Sequence, residues 1–113
     1  MISKELLEWI AKQKKKIDTK YVNNAIFASK QGKVFVHAIK LSEEVGELSA
    51  EILQSHGLQR DKGKPKDKDA LALEMADVLL TLLVLAENSD IDINKAVKQK
   101  VDILNARFAD SKS

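Results

Sequence analysis

Apolar positions recur along this chain at helical intervals, and no strand-like alternation competes with them. Leu6, Leu7, Ile10 and Ile17 lie on roughly one side of a first helix, which Ser3 caps and which runs to about Tyr21. Residues 22–32 are less regular, and Gly32 reads as punctuation before a second helix from about Lys33 to His56. Gly57 suits the position just past the end of that helix. Residues 58–68 read as a loop, with Gly63 and Pro65 among alternating charges. Asp67 or Asp69 caps a third helix that reaches about Asn88. "NSDID" (88–92) is a short turn whose Asp90 or Asp92 caps a fourth helix to about Phe108, striped by Ile93, Val97, Val101 and Leu104. The final "ADSKS" is expected to fray.

The third helix departs from the amphipathic pattern. Between 71 and 86 only Glu74, Asp77 and Thr81 are not hydrophobic, and a helix apolar nearly all round is buried on most sides. Four helices in one chain would wrap it incompletely. The pattern therefore predicts an all-α, four-helix bundle-like domain over residues 1–113, assembled as a dimer or higher oligomer. A self-contained four-helix bundle is the alternative. The run itself is 16 residues long and carries two carboxylates, too short and too charged for a membrane span of about 20 apolar residues.

Composition narrows the class. The chain is 44% hydrophobic and 32% charged, which is globular rather than disordered. Its 19 basic and 17 acidic residues leave a net charge of +2. The basic excess sits in "RDKGKPKDK" (60–68), with five basic and two acidic side chains. That segment is either a plain solvated loop or one that closes over an anionic ligand. No broad basic surface with interleaved aromatics marks a nucleic-acid polymer as partner. There is no cysteine, which excludes disulfides and thiolate metal sites and is compatible with a reducing cytoplasm. "MISKELLEWIAKQ" lacks the apolar core of a signal peptide.

The candidate chemistry is carboxylate chemistry. In "KLSEEVGELSAEIL" (40–53), at about 100° per residue, Glu47 falls between Glu43 and Glu44 around the helix, with Glu51 one turn on. Like charges at this spacing repel. Glu74 and Asp77 share a face of the apolar third helix, with no lysine or arginine in that run. An ionised carboxylate is costly to bury without compensation. If the second and third helices pack antiparallel, the two acidic faces converge, and a hard divalent cation is the natural compensator. The plainer reading is a solvated helix face with a Lys40–Glu44 pair. Zinc is disfavoured, since only His37 and His56 could supply imidazole. Val34 and Leu53 stand three residues before the histidines, so the Glu-x-x-His pairs of a di-iron bundle are missing. Oxygen donors alone suit Mg²⁺, with Mn²⁺ as substitute, and Mg²⁺ commonly works with substrate phosphates.

"EEVGE" (43–47), 26 residues, then "EMAD" (74–77) resembles the EExxE…ExxD signature of the MazG-like all-α nucleoside triphosphate pyrophosphohydrolases. The resemblance covers about residues 30–108. It implies a cytoplasmic, Mg²⁺-dependent hydrolase that cleaves a nucleoside triphosphate to monophosphate and pyrophosphate, a role in nucleotide-pool house-cleaning, and a homodimer or homotetramer. Related specialists act on dCTP, dUTP or phosphoribosyl-ATP, and a non-catalytic helical interaction module is the reading outside the enzyme class. The resemblance implies Glu44, Glu47, Glu74 and Asp77 as metal ligands. Glu43 either completes the metal shell or orients the attacking water. Family members often end the last helix with Lys, then Asn four residues on, then Arg-Tyr-Pro. Here Lys100 and "ARF" (106–108) match in part, but Leu104 holds the Asn position and no proline follows Phe108. Lys100 and Arg107 are candidate phosphate binders. His37 and Trp9 are candidate nucleoside contacts, each with a plain core or surface alternative, as are Phe27 and Phe35.

Overall fold

A computed structural model describes residues 1–58 and 68–111. It contains four α-helices: α1 (Lys4–Lys20), α2 (Lys30–Ser55), α3 (Lys68–Asn88) and α4 (Ile93–Ser111). No strand occurs among the described residues. The capping chemistry works as anticipated at several ends. Ser3 Oγ accepts from the Leu6 amide at 3.1 Å, and Asp92 accepts from the Lys95 amide at 3.1 Å. Gly57 sits at φ +69° after α2, while Leu58 N–H reaches back to Leu53 O at 2.8 Å. That is the left-handed turn which terminates a helix by satisfying its last carbonyls.

Three boundary expectations are corrected. Gly32 does not interrupt the chain before α2; it lies inside the first turn, because Ser29 is the cap and its Oγ accepts from Gly32 N–H at 3.0 Å. A short 3-10 turn, Ile26–Ala28, precedes it. A Cβ on Gly32 would fall 1.9 Å from the Ile26 carbonyl oxygen, so the glycine is there for close approach of that turn. Asp69 is within the first turn of α3 rather than its cap, and Asp67 lies outside the described residues, as does most of the basic segment 60–68. At the far end, α4 continues past Phe108 to Ser111.

Helices α2 and α3 form the main packed pair. Lys30 pairs with Asp90, His37 and Lys40 share a cavity wall with Val84 and Thr81, and Glu44 feels Asp77 and Glu74. Rising numbers on α2 meet falling numbers on α3, so the two run antiparallel. Helix α1 lies against α3. Ile10, Phe27, Leu83 and Ala86 are the buried apolar residues, with Ile10 fully enclosed. Between α1 and α2, Asp18 binds Lys14 at 2.9 Å and Lys33 at 3.4 Å. Burial pushes the Asp18 carboxyl up, but the hydrogen bond and charge of Lys14, with Lys33, outweigh it and hold it below the usual carboxylate range.

Helix α4 makes only marginal contact with the other three. Its start is tied by a reciprocal pair: Ile2 N–H donates to Asn94 Oδ1 at 3.1 Å, and Asn94 Nδ2 donates to Ile2 O at 2.8 Å. As its apolar pattern anticipates, α3 is covered only incompletely by the other described helices. Leu73 is 69% exposed, and Met75, Leu79 and Leu82 are exposed too. On α4, Val97, Val101, Ile103 and Phe108 face outward. No described helix is long and apolar enough to cross a membrane.

Candidate active site

The antiparallel register brings the two acidic motifs together. Glu44, Glu74 and Asp77 each offer an oxygen, and these oxygens all lie within 4.8 Å of one another. Glu44 and Glu74 are half-buried and Asp77 is exposed. Three carboxylates gathered from two packed helices are the donor type that a hard divalent ion takes.

Glu44 carries the clearest sign of an uncompensated charge. Burial raises its carboxyl above the ordinary value of 4.5, and Glu47, Asp77 and Glu74 push it further in the same direction. Its Oε2 is buried with no hydrogen-bond partner. Glu47 also shares a hydrogen bond with it. The simple alternative, a Lys40–Glu44 pair, is not formed: Lys40 Nζ turns to Glu43 Oε2 at 3.5 Å. The chain thus leaves Glu44 to its acidic neighbours, an arrangement that a bound cation relieves.

A cavity of about 510 Å³ lies one helical turn from this cluster, in the size range of small-molecule sites. Lys40 precedes Glu44 by one turn and Thr81 follows Asp77 by one turn, and both line it. At 1.5 Å per residue the displacement is about 6 Å. Ile17, Ile26, Phe27, Val36 and Val84 make its walls apolar. Tyr21 and Phe27 meet with ring centroids 5.0 Å apart, and Phe27 meets His37 edge-on at 6.1 Å. His37 is 5% exposed. Burial lowers its pKa below 6.5; the charge of Asp18 opposes that shift and that of Lys14 adds to it.

The other sequence candidates are distributed unevenly. His37 lines the cavity. Trp9 does not; it lies in a separate groove with Leu6 and Leu80. Phe27 is in the cavity wall, whereas Phe35 is 68% exposed and outside it. Glu43 is exposed and held by Lys40, outside the three-oxygen group. Lys100 and Arg107 are exposed on α4, which packs only marginally on the other described helices. Sequence reading missed Lys40, Thr81, Tyr21 and Asn24 as a set. The available signal was Asn24 within the irregular stretch, since asparagine there supports a local turn, and Lys40 one turn ahead of Glu44.

Residues 37–109 match the MazG nucleotide pyrophosphohydrolase domain family. The chain belongs to that family. It is also similar to the uncharacterized protein YpjD of Bacillus subtilis (strain 168), with 32% identity over 71 residues, covering 63% of this chain and 63% of that relative. No solved structure matches the chain.

Proposed function

We propose that this protein is a Mg²⁺-dependent pyrophosphohydrolase that converts a nucleoside triphosphate to a monophosphate and pyrophosphate, as part of nucleotide-pool house-cleaning in the cytoplasm. The observation that carries this reading is the three-oxygen group of Glu44, Glu74 and Asp77, set one turn from a largely apolar cavity. Family membership supports the reaction class.

Glu44, Glu74 and Asp77, with Glu47 beside Glu44, would hold the cation. When bound, Mg²⁺ or Mn²⁺ would neutralise triphosphate charge and lower the pKa of a coordinated water. Glu43 lies outside that group, and once Lys40 turns from it to the phosphates its carboxylate orients the attacking water and takes its proton. The new bond joins water oxygen to the α-phosphorus, and the bond from that phosphorus to the bridging oxygen breaks. The leaving group is pyrophosphate. Lys40 lies between cavity and carboxylates and steadies the phosphates as a charged donor.

The exposed apolar side chains of α3 and α4 support a homodimer or homotetramer, in which a second copy would cover them. In such an assembly Lys100 and Arg107 reach a triphosphate only through a repositioned α4 or a second copy. Hydrolysis in ¹⁸O-labelled water tests the reaction: the label enters the monophosphate under this mechanism. Label in pyrophosphate instead would place attack on the β-phosphorus and refute it.

A further inference from the structure

Helix α1 sorts its charges along its length and around its axis. Residues 12–20 carry five lysines against one aspartate, a net +4 in a chain whose total is +2. The one aspartate, Asp18, is engaged by Lys14 and by Lys33 of α2. Glu5 and Glu8 lie at the opposite end of the helix, with Glu8 against Lys4. Lys12, Lys15, Lys16 and Lys20 stand three or four residues apart, so they share one face, and all four are exposed. None of the four has an ion pair among the described residues. Like charges at this spacing repel, and no described carboxylate relieves them. The face runs for about 12 Å and ends at the cavity beside the acidic cluster. Lys15, Lys16, Thr19 and Lys20 form a shallow open groove, and Lys20 also lines the cavity. Lys20 Nζ stands 5.3 Å from the ring centroid of Tyr21, which lines the same cavity.

We propose that the lysine face of α1 steers anionic nucleotides into the site. This inference rests on the reading of cavity and cluster as a nucleoside triphosphate site. A triphosphate that approaches the cluster meets Glu44, Glu74 and Asp77, with Glu47 beside them, and these repel it until a cation is bound. An adjoining positive face of four unpaired lysines draws the anion in at long range. The attraction acts through space, so it does not depend on which lysine touches the bound nucleotide. It speeds association and leaves dissociation and the chemical step unchanged.

The test measures association with the full chain in Mg²⁺ by stopped flow. The probes are N-methylanthraniloyl derivatives of α,β-imido-ATP and α,β-imido-dUTP, whose scissile bridge resists hydrolysis, and turnover of the natural triphosphates is followed alongside. Lys12→Gln, Lys15→Gln and Lys16→Gln are combined, and Lys20 is kept because it lines the cavity. Association should slow about fivefold at about 10 mM salt, the Coulomb attraction of three unit charges for a magnesium-bound triphosphate about 15 Å away. The difference should vanish at about 0.5 M salt, while the dissociation rate and kcat stay as in wild type. Arginine at the same three positions should keep the wild-type rate. Lys4→Gln, Lys95→Gln and Lys98→Gln together remove the same charge at the far end of α1, where Ile2 is tied to Asn94, and should slow association much less. Association unmoved by the first triple variant, equal losses in the two glutamine triples, a deficit that persists at high salt, or no association of either probe would overturn the proposal. Salt-dependent steering without hydrolysis of any triphosphate would leave it standing and defeat the pyrophosphohydrolase reading. Hydrolysis with unchanged association would do the reverse.

Discussion

Neutralising one carboxylate of the cluster should stabilise the metal-free protein and weaken its response to metal. Glu44→Gln is the cleanest such change, since glutamine keeps the shape and removes the charge. The oxygens of Glu44, Glu74 and Asp77 lie within 4.8 Å of one another. At that separation, in the high dielectric suited to partly exposed groups, each like-charge pair costs about 0.9 kcal/mol. Within that group two pairs involve Glu44, with Glu47 a further like charge beside it, and screening and side-chain relaxation roughly halve the total for the two. A net gain of about 1 kcal/mol is expected, which raises the melting temperature by about 4 °C for a chain of this length.

Divalent metal reverses the order. Wild-type protein at a hundredfold excess of Mg²⁺ over its dissociation constant gains about 2.7 kcal/mol by mass action. The variant, short of one ligand, gains much less at the same concentration. Thermal melts of both proteins in EDTA and across a Mg²⁺ series give all four values. A variant that melts lower than wild type in EDTA, and rises equally with Mg²⁺, would show that Glu44 is an ordinary structural residue and that the cluster is not the ion site.

Other consequences follow from packing and charge. Gly32→Ala should cost about 2 kcal/mol, because the new methyl has the Ile26 carbonyl oxygen 1.9 Å away; Gly46→Ala, which meets nothing within 4 Å, should instead stabilise by up to about 1 kcal/mol, and denaturant midpoints separate the two. His37 is held below its ordinary value of 6.5, so the unfolded chain binds the proton more readily; its stability contribution is present above pH 6.5 and is lost as pH falls below it. Melting temperatures at pH 5.5 and 7.5 should differ more for wild type than for His37→Gln, and equal slopes would contradict this. Lys40→Met should raise KM for a triphosphate about tenfold while Lys40→Arg restores most of it, and an unchanged KM would remove Lys40 from the site.

Much of this fold is legible in residue spacing. Ser3, Gly57 and Asp92 mark helix ends through local hydrogen bonds that depend on few neighbours. The convergence of the acidic residues is legible too, because Glu74 and Asp77 stand out in an apolar helix and the antiparallel register follows from consecutive packed helices. What stayed hidden depends on tertiary approach. Gly32 looks like a breaker until the Ile26 carbonyl is placed against it. Lys40 looks like the partner of Glu44 by spacing, yet its side chain chooses Glu43. The cavity draws on α1, the 3-10 turn, α2 and α3 at once, and no single segment announces it. Trp9 offers a ring of the base-stacking kind but lies in a separate groove with Leu6 and Leu80.

The decisive measurement is pyrophosphate release from a panel of nucleoside triphosphates by wild-type protein and by Asp77→Asn, each with Mg²⁺ and with EDTA. Wild-type protein should release pyrophosphate and the matching monophosphate only with metal present, and Asp77→Asn should lose the activity while melting as a folded protein. Release that persists in EDTA, or survives in folded Asp77→Asn, would contradict a metal-dependent reaction at the Glu44, Glu74 and Asp77 cluster.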